Sequence, residues 1–301
     1  MNIRFDDRVA IVTGAGNGLG RSHALALAAR GARVVVNDPG GAVDGTGGAN
    51  AVADGVVGEI VAAGGRAVAS FESVADPAGA ARIVAKAIEA FGRLDILVNN
   101  AGILRDKSFG KMEAAEFDAV IRVHLQGSAY VTRAAWPHLQ EGKYGRVVMT
   151  TSAAGLFGNF GQANYAAAKL GLVGLMNALK IEGLKYGILV NTVAPVAATR
   201  MTEGIIPPAF FAKMKPEHIT SAVLYLCSET CRDSGHVVSA GPGYYARARM
   251  MEGPGATFDP SVVASPEAIA ERWAEIASLD GASGFDTATD EIARIFRRLG
   301  P

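Results

Sequence analysis

Tyr165 and Lys169 stand four residues apart in the run YAAAK, on a segment of helical composition, and Ser152 closes an apolar run thirteen residues earlier. Positions i and i+4 share one helix face, so the Lys169 ammonium can sit beside the Tyr165 phenol and favour its ionised form. A free tyrosine has a pKa of about 10, too high for efficient proton transfer near neutrality, and a neighbouring cation would lower it. Tyr165 would then take or give a proton while Ser152 holds and orients a substrate oxygen. Taken singly, a Tyr and a Lys at this spacing are more often a solvated pair, so the reading rests on a conjunction of motifs.

The second motif is Thr13-Gly14-Ala15-Gly16-Asn17-Gly18-Leu19-Gly20, which follows one apolar run and precedes an Ala/Leu-rich helix. Glycines let the backbone turn tightly and approach phosphates, while free amides and the positive helix end receive the negative charge. Asp38 lies 18 residues beyond Gly20, at the end of the second apolar run. A carboxylate there can accept both hydroxyls of an adenosine ribose and repel a 2′-phosphate; the alternative is a plain turn residue ahead of Pro39-Gly40. No Lys or Arg lies between Gly14 and Gly20, so the cofactor expected is NAD rather than NADP. Nicotinamide would carry the hydride, leaving the protein to aim it, exclude water and manage the proton. No metal is called for. Cys227 and Cys231, read as lying inside one helix (LYLCSETC), have no second pair to complete a zinc site and are taken as reduced thiols of a cytosolic protein.

These residues need a frame. Short Val/Ile/Leu runs alternate with longer Ala-rich segments of helical period, which predicts strands at 9–13, 33–37, 66–70, 96–99, 145–151 and 189–193, with a weaker seventh at 236–239. Strands apolar on both faces need helices on both sides, so the fold expected is a Rossmann-type, doubly wound parallel α/β sheet in a single domain. That domain is read as 1–245, NAD-binding and catalytic. Residues 251–260 (MEGPGATFDP) read as a linker into helices at 266–278 and 287–299, so 246–301 is expected to be an extension packed on the main domain or on a partner subunit. The insertion PGGAVDGTGGAN at 39–50 is either a flexible surface loop or a loop at the mouth of the nucleotide site.

Lys plus Arg equals Asp plus Glu at 29 each, so no basic field would draw in nucleic acid or an anionic membrane. No apolar stretch is long enough to span a bilayer, and MNIRFDDRVAIVTG has neither signal-peptide nor transit-peptide character. The expectation is a soluble, cytoplasmic protein.

Together, TGAGNGLG, NNAG at 99–102, Ser152, YAAAK and the 191–195 stretch resemble the short-chain dehydrogenase/reductase superfamily. More narrowly, VVVNDPGG, FESVAD, NNAGILRD, RVHLQGS, RAAWPH, YGRVVMTTSAAGLFGNFGQANYAAAKLGL and the C-terminal extension are similar to the (3R)-hydroxyacyl-CoA dehydrogenase part of peroxisomal multifunctional enzyme type 2 and its bacterial stand-alone relatives. The resemblance implies a homodimer or homotetramer that oxidises a (3R)-hydroxyacyl-CoA to the 3-oxoacyl-CoA. It further implies that Leu19 offers its backbone to the pyrophosphate and that Ser73 and Val74 border the adenine. Asn100, with Ala101 and Gly102, would contact the cofactor ribose, and Pro195, Val196, Ala197, Ala198 and Thr199 would meet the nicotinamide.

Two positions depart from the superfamily pattern. His124 stands where an Asn usually holds a water that links the lysine to solvent; it is either a proton relay or a satisfied core residue. Val196 replaces the usual Gly after Pro195. For the substrate, Phe157 and Phe160 after Ser152, and Met201 in MTEGIIPPAFFAKMK, suggest either a lid over an apolar molecule or a surface helix. Alternative activities are a steroid or sterol-side-chain hydroxy dehydrogenase and a 3-oxoacyl thioester reductase. More remote is a non-catalytic NAD-binding interaction protein.

Overall fold

Val9–Thr13 (β1) is buried at all five positions, and Arg33–Asn37 (β2) at all but the first, as strands must be when helices cover both faces of a sheet. The computed structural model describes residues 2–48, 50–197 and 213–299. Alternate side chains divide the core: Ala10, Val12, Val34 and Val36 point into one cluster, with the period of two that a pleated strand imposes.

In chain order, β1 leads to helix α1 (Gly18–Ala29), then β2, α2 (Ala51–Ala62), β3 (Arg66–Ser70), α3 (Pro77–Phe91) and β4 (Ile96–Asn99). The second half continues with α4 (Ala114–Ile121), α5 (Gly127–Gly142), β5 (Gly145–Thr150), the short α6 (Ala153–Phe157), α7 (Ala163–Gly183) and β6 (Ile188–Pro195). It closes with α8 (Pro216–Cys227), β7 (Val237–Gly241) and β8 (Tyr244–Ala248). Strand order is β3-β2-β1-β4-β5-β6-β7-β8, and the pairings from β3 to β7 are all parallel. The chain moves outward from β1 through β2 to β3, then returns to place β4 on the other side of β1. This reversal opens a crevice at the carboxyl ends of β1 and β4, where doubly wound sheets bind ligands.

The opposite ends of those strands are fastened. Asp95, fully buried just ahead of β4, accepts the Val9 amide at 2.9 Å, Arg8 at 2.9 Å and Arg93 through two nitrogens at 2.9 and 2.7 Å.

Several expected boundaries shift. The fifth strand stops at Thr150, one residue short, and the sixth runs on to Pro195 because pairing with β7 continues through Pro195–Ala240. Cys231 lies outside α8, which ends at Cys227; both thiols are free and buried. The helix expected at 266–278 is broken at Arg272 into α9 (Pro266–Glu271) and α10 (Trp273–Ile276), and α11 spans Ala288–Leu299. Residues 251–260 are not purely linker, since Glu252 forms an antiparallel bridge with Ser283. The chain forms two compact units, Met1–Arg247 and Ala248–Pro301.

Candidate active site

The site residues collect at the carboxyl edge of the sheet because each motif follows a strand. Gly14, Gly16 and Asn17 form the turn after β1, and Gly18, Leu19 and Gly20 begin α1. Asn17, the N-cap of α1, makes no side-chain capping bond, and the first turn carries no acidic residue. The opening amides of α1 are therefore left for an anion, which fits the pyrophosphate of a dinucleotide. Asp38 lies one residue past β2, and its carboxylate accepts the Gly16 amide at 2.8 Å and the Gly40 amide at 2.7 Å. This holds a negative charge against the glycine turn, where a ribose would lie.

Asn100, just past β4, donates its side-chain amide to the carbonyls of Thr13 and Gly14, each at 3.1 Å, and its backbone N–H to Thr13 Oγ1 at 3.0 Å. Its amide group thus ties the turn together, in addition to any contact the resemblance assigns it. Ala101 donates its backbone N–H to the same hydroxyl at 3.1 Å. Ser73 is exposed and Val74 buried, immediately ahead of the Asp76 cap of α3. Pro195 ends β6, and Val196 continues the strand's edge by donating to the Ala240 carbonyl at 2.8 Å. Ala197 is buried, whereas Ala198, Thr199 and Met201 fall outside the described residues.

Ser152 is not the end of β5 but the N-cap of α6: its Oγ accepts the Ala154 amide at 3.2 Å. That bond occupies a lone pair and leaves the hydroxyl hydrogen available for the Tyr165 phenol, which Ser152 faces. Lys169, on the same face of α7, is fully enclosed and donates to the Thr150 carbonyl. Its nitrogen lies 5.4 Å from the centre of the Tyr165 ring. Gly155 permits this packing, since a Cβ there would stand 2.8 Å from the Lys169 Cβ.

In the free chain the Tyr165 pKa is set by groups other than Lys169. Burial raises the Tyr165 pKa, the Ser152 hydroxyl pulls it back down, and Asp106 pushes it up again. Lys169 is itself lowered to about 7 by desolvation, so much of its charge is lost near neutrality. In the free chain the group that favours the phenolate is therefore Ser152.

His124 sits in a widened helical turn, the π-type segment Arg122–Gln126 between α4 and α5. Its Nε2 lies 3.0 Å from the Ile103 amide and 2.8 Å from the Ile103 carbonyl, while its Nδ1 is buried with no partner among the described residues. Desolvation, and then the Lys169 charge, hold its pKa well below the usual value, so the ring is neutral. Gly102 makes room for it: a Cβ at that position would lie 2.2 Å from the imidazole Cε1. Phe157 and Phe160 are 80% and 89% exposed, so neither is enclosed in a formed substrate pocket.

Sequence reasoning passed over Asp106, Asn164 and Thr150. The first two sit inside quoted motifs, NNAGILRD and GQANY, where their side-chain types alone did not single them out. Thr150 acts through its carbonyl, for which no side-chain signal exists.

Residues 8–207 match the family model described as short chain dehydrogenase. The chain belongs to the short chain dehydrogenase family. A protein of Mycobacterium tuberculosis named as a short-chain type dehydrogenase/reductase is 55% identical over 92% of this short chain dehydrogenase and 96% of its own length. The structure of full-length peroxisomal multifunctional enzyme type 2 from Drosophila melanogaster superposes with a TM-score of 0.84 at 39% identity. That match covers 99% of this chain and 50% of the other, so the chain spans half of that enzyme. A 7α-hydroxysteroid dehydrogenase complexed with NADH and 7-oxo glycochenodeoxycholic acid superposes with a TM-score of 0.72 at 29% identity, over 80% of this chain and 96% of its own. Among the described residues no helix is long and apolar enough to cross a membrane.

Proposed function

We propose that this short chain dehydrogenase oxidises a (3R)-hydroxyacyl-CoA to the 3-oxoacyl-CoA with NAD. The observation that carries the reading is the convergence of the Ser152 hydroxyl, the Tyr165 phenol and the enclosed Lys169 amine at the carboxyl edge of the parallel sheet, the edge from which the uncapped α1 starts. NAD, when bound, accepts the hydride from the carbinol carbon. Ser152 donates a hydrogen bond to the substrate oxygen, with its Oγ held in place by the Ala154 amide. Tyr165, as phenolate, takes the hydroxyl proton. The protonated fraction of Lys169 steadies that phenolate, and its bond to the Thr150 carbonyl fixes where the charge stands. The Asp38 carboxylate supports NAD over NADP, since a 2′-phosphate would meet a fixed negative charge.

The substrate assignment is supported by the motif resemblance and by the similarity to the multifunctional enzyme. We assign the catalytic and cofactor residues to 1–245, a homo-oligomeric assembly to the whole, and the cytoplasm as location, since the free Cys227 and Cys231 suit a reducing compartment. A second reading, a steroid alcohol dehydrogenase, is favoured by the similarity to the hydroxysteroid enzyme. The 3-oxoacyl thioester reductase is disfavoured by Asp38 if it draws on NADPH. A silent NAD-binding protein would have no use for the preserved Ser152, Tyr165 and Lys169.

The deciding experiment follows NADH absorbance with (3R)- and (3S)-hydroxyacyl-CoA and steroid alcohols, each with NAD or NADP. Turnover of the (3R) thioester with NAD, abolished in Tyr165→Phe, is expected. Turnover of steroids alone would replace the substrate assignment, and turnover indifferent to Tyr165→Phe would remove the catalytic one.

A further inference from the structure

The 39–50 insertion is glycine-rich, and its described residues, all but 49, are mostly exposed yet tied down by backbone bonds. The Val43 carbonyl accepts the Leu104 amide at 2.9 Å, and the Asp44 carbonyl accepts Arg105 Nε at 3.1 Å. Within the insertion, Ala42 donates to the Thr46 carbonyl at 2.8 Å, and the Thr46 hydroxyl donates to the Asp44 carboxylate at 2.7 Å. Gly45 has a φ of +86°, and a Cβ there would press to 3.1 Å from Ile103. The loop thus lies against 103–105, with the Val43 and Asp44 carbonyls turned toward it.

The segment it grips leads directly to the phenol. The Arg105 carbonyl accepts Asn164 Nδ2 at 2.9 Å, and Asn164, fully buried, accepts the Tyr165 amide on its Oδ1 at 2.7 Å. At its other end the insertion starts at Pro39, immediately after Asp38, whose carboxylate holds the Gly40 amide. Hydrogen bonds alternating with short stretches of chain therefore link the ribose-side carboxylate to the backbone of Tyr165.

We propose that the insertion is a brace that positions Tyr165, with Arg105 and Asn164 as positioning residues through which the brace acts. Arg105 joins loop to segment, and Asn164 joins segment to the start of α7. Neither touches the reacting atoms. Each fixes the phenol by fixing the backbone beneath it, and a small misplacement of a reacting group costs rate more than binding. The kinetic half of this inference rests on the dehydrogenase reading; the structural half does not.

The test compares Arg105→Ala, Arg105→Lys, Asn164→Ala and Gly45→Ala with the wild type by two readouts. Hydrogen exchange of the peptide containing the Tyr165 amide needs no substrate, and it should quicken about tenfold or more in Arg105→Ala and Gly45→Ala, as expected where a local opening is made easier. In turnover, kcat should fall about tenfold in Arg105→Ala and Asn164→Ala while the Kd for NADH stays within about twofold, the split expected of lost orientation. The Arg105→Lys variant, which can still donate to the Asp44 carbonyl, should regain most of that loss. Should Asn164→Ala fail to fold, the exposed Gly45→Ala still decides the outcome by exchange. Unchanged exchange at Tyr165 in both Arg105→Ala and Gly45→Ala would overturn the brace. A wild type that exchanges as expected but turns over no hydroxyacyl-CoA would overturn the activity reading alone.

Discussion

The imidazole of His124 meets the ring of Tyr165 edge to face, with centroids 5.2 Å apart and planes at 87°. The contact is uncharged, because burial keeps His124 neutral, and its orientation is set on one side by Ile103 and on the other by the space that Gly102 leaves. Edge-to-face packing of this kind fixes a ring plane without bonding to its hydroxyl. Tyr165 is thereby held by its ring from His124 and faced at its hydroxyl by Ser152, which leaves the phenol oxygen free to exchange a proton.

Gly102→Ala should displace the imidazole, since the new methyl would lie 2.2 Å from its Cε1. Overpacking of a core costs about 1–3 kcal/mol. Urea denaturation should show a loss in that range, and turnover should fall with it. A variant of wild-type stability would mean that the ring shifts without cost.

Ser152→Ala removes the one neighbour that lowers the Tyr165 pKa. The phenol of the free enzyme should then ionise at higher pH, moving the rising limb of the kcat/KM profile upward, and activity near neutrality should drop about a hundredfold, as for other lost transition-state hydrogen bonds. Loss of the α6 cap adds about 1 kcal/mol of destabilisation, measurable by thermal melting. A weaker enzyme with an unmoved limb would assign Ser152 to substrate orientation only.

Lys169 makes stability depend on pH. Its folded pKa of about 7 lies below the ordinary 10.5, so between those values the unfolded chain binds more protons than the native one. Stability should therefore rise from pH 7 to pH 10 and be flat below 7 as far as this group is concerned. In Lys169→Met the rise should vanish. Parallel urea midpoints for wild type and variant across that range would contradict the desolvation of this amine.

Asp38→Asn removes the charge and keeps one acceptor oxygen, so only one of the Gly16 and Gly40 amides retains its bond. The ratio of kcat/KM with NAD to that with NADP should fall about tenfold, mostly through better use of NADP, as electrostatic repulsion of the 2′-phosphate is relieved. Steady-state kinetics with both cofactors measures it. An unchanged ratio would return Asp38 to the role of a turn residue.

Much of this architecture was legible because strands apolar on both faces announce themselves: the first four match their expected limits. β8 was not, since Tyr244–Ala248 is largely exposed and contains no apolar run. The helix break at Arg272 was equally hidden, as a helical period continues across it. At the site, residue types and spacing revealed Ser152, Tyr165, Lys169 and the glycine turn, but not their electrostatics. The amine of Lys169 turned out to be occupied by the Thr150 carbonyl, and carbonyls carry no letter in a sequence. For the same reason the seating of the insertion on Leu104 and Arg105 was invisible. The widened turn at His124 depends on a backbone bond that skips one extra residue, which composition cannot disclose.

The anchoring of Val9, Arg8 and Arg93 on Asp95 gives the sheet a fixed floor. Breathing between β1 and β4 would start at the rim, where Asn100 and Ala101 bond to Thr13 and Gly14. A dinucleotide lodged at that rim would close the one loose end, so ligand protection against proteolysis or exchange should be greatest there and fade toward the floor.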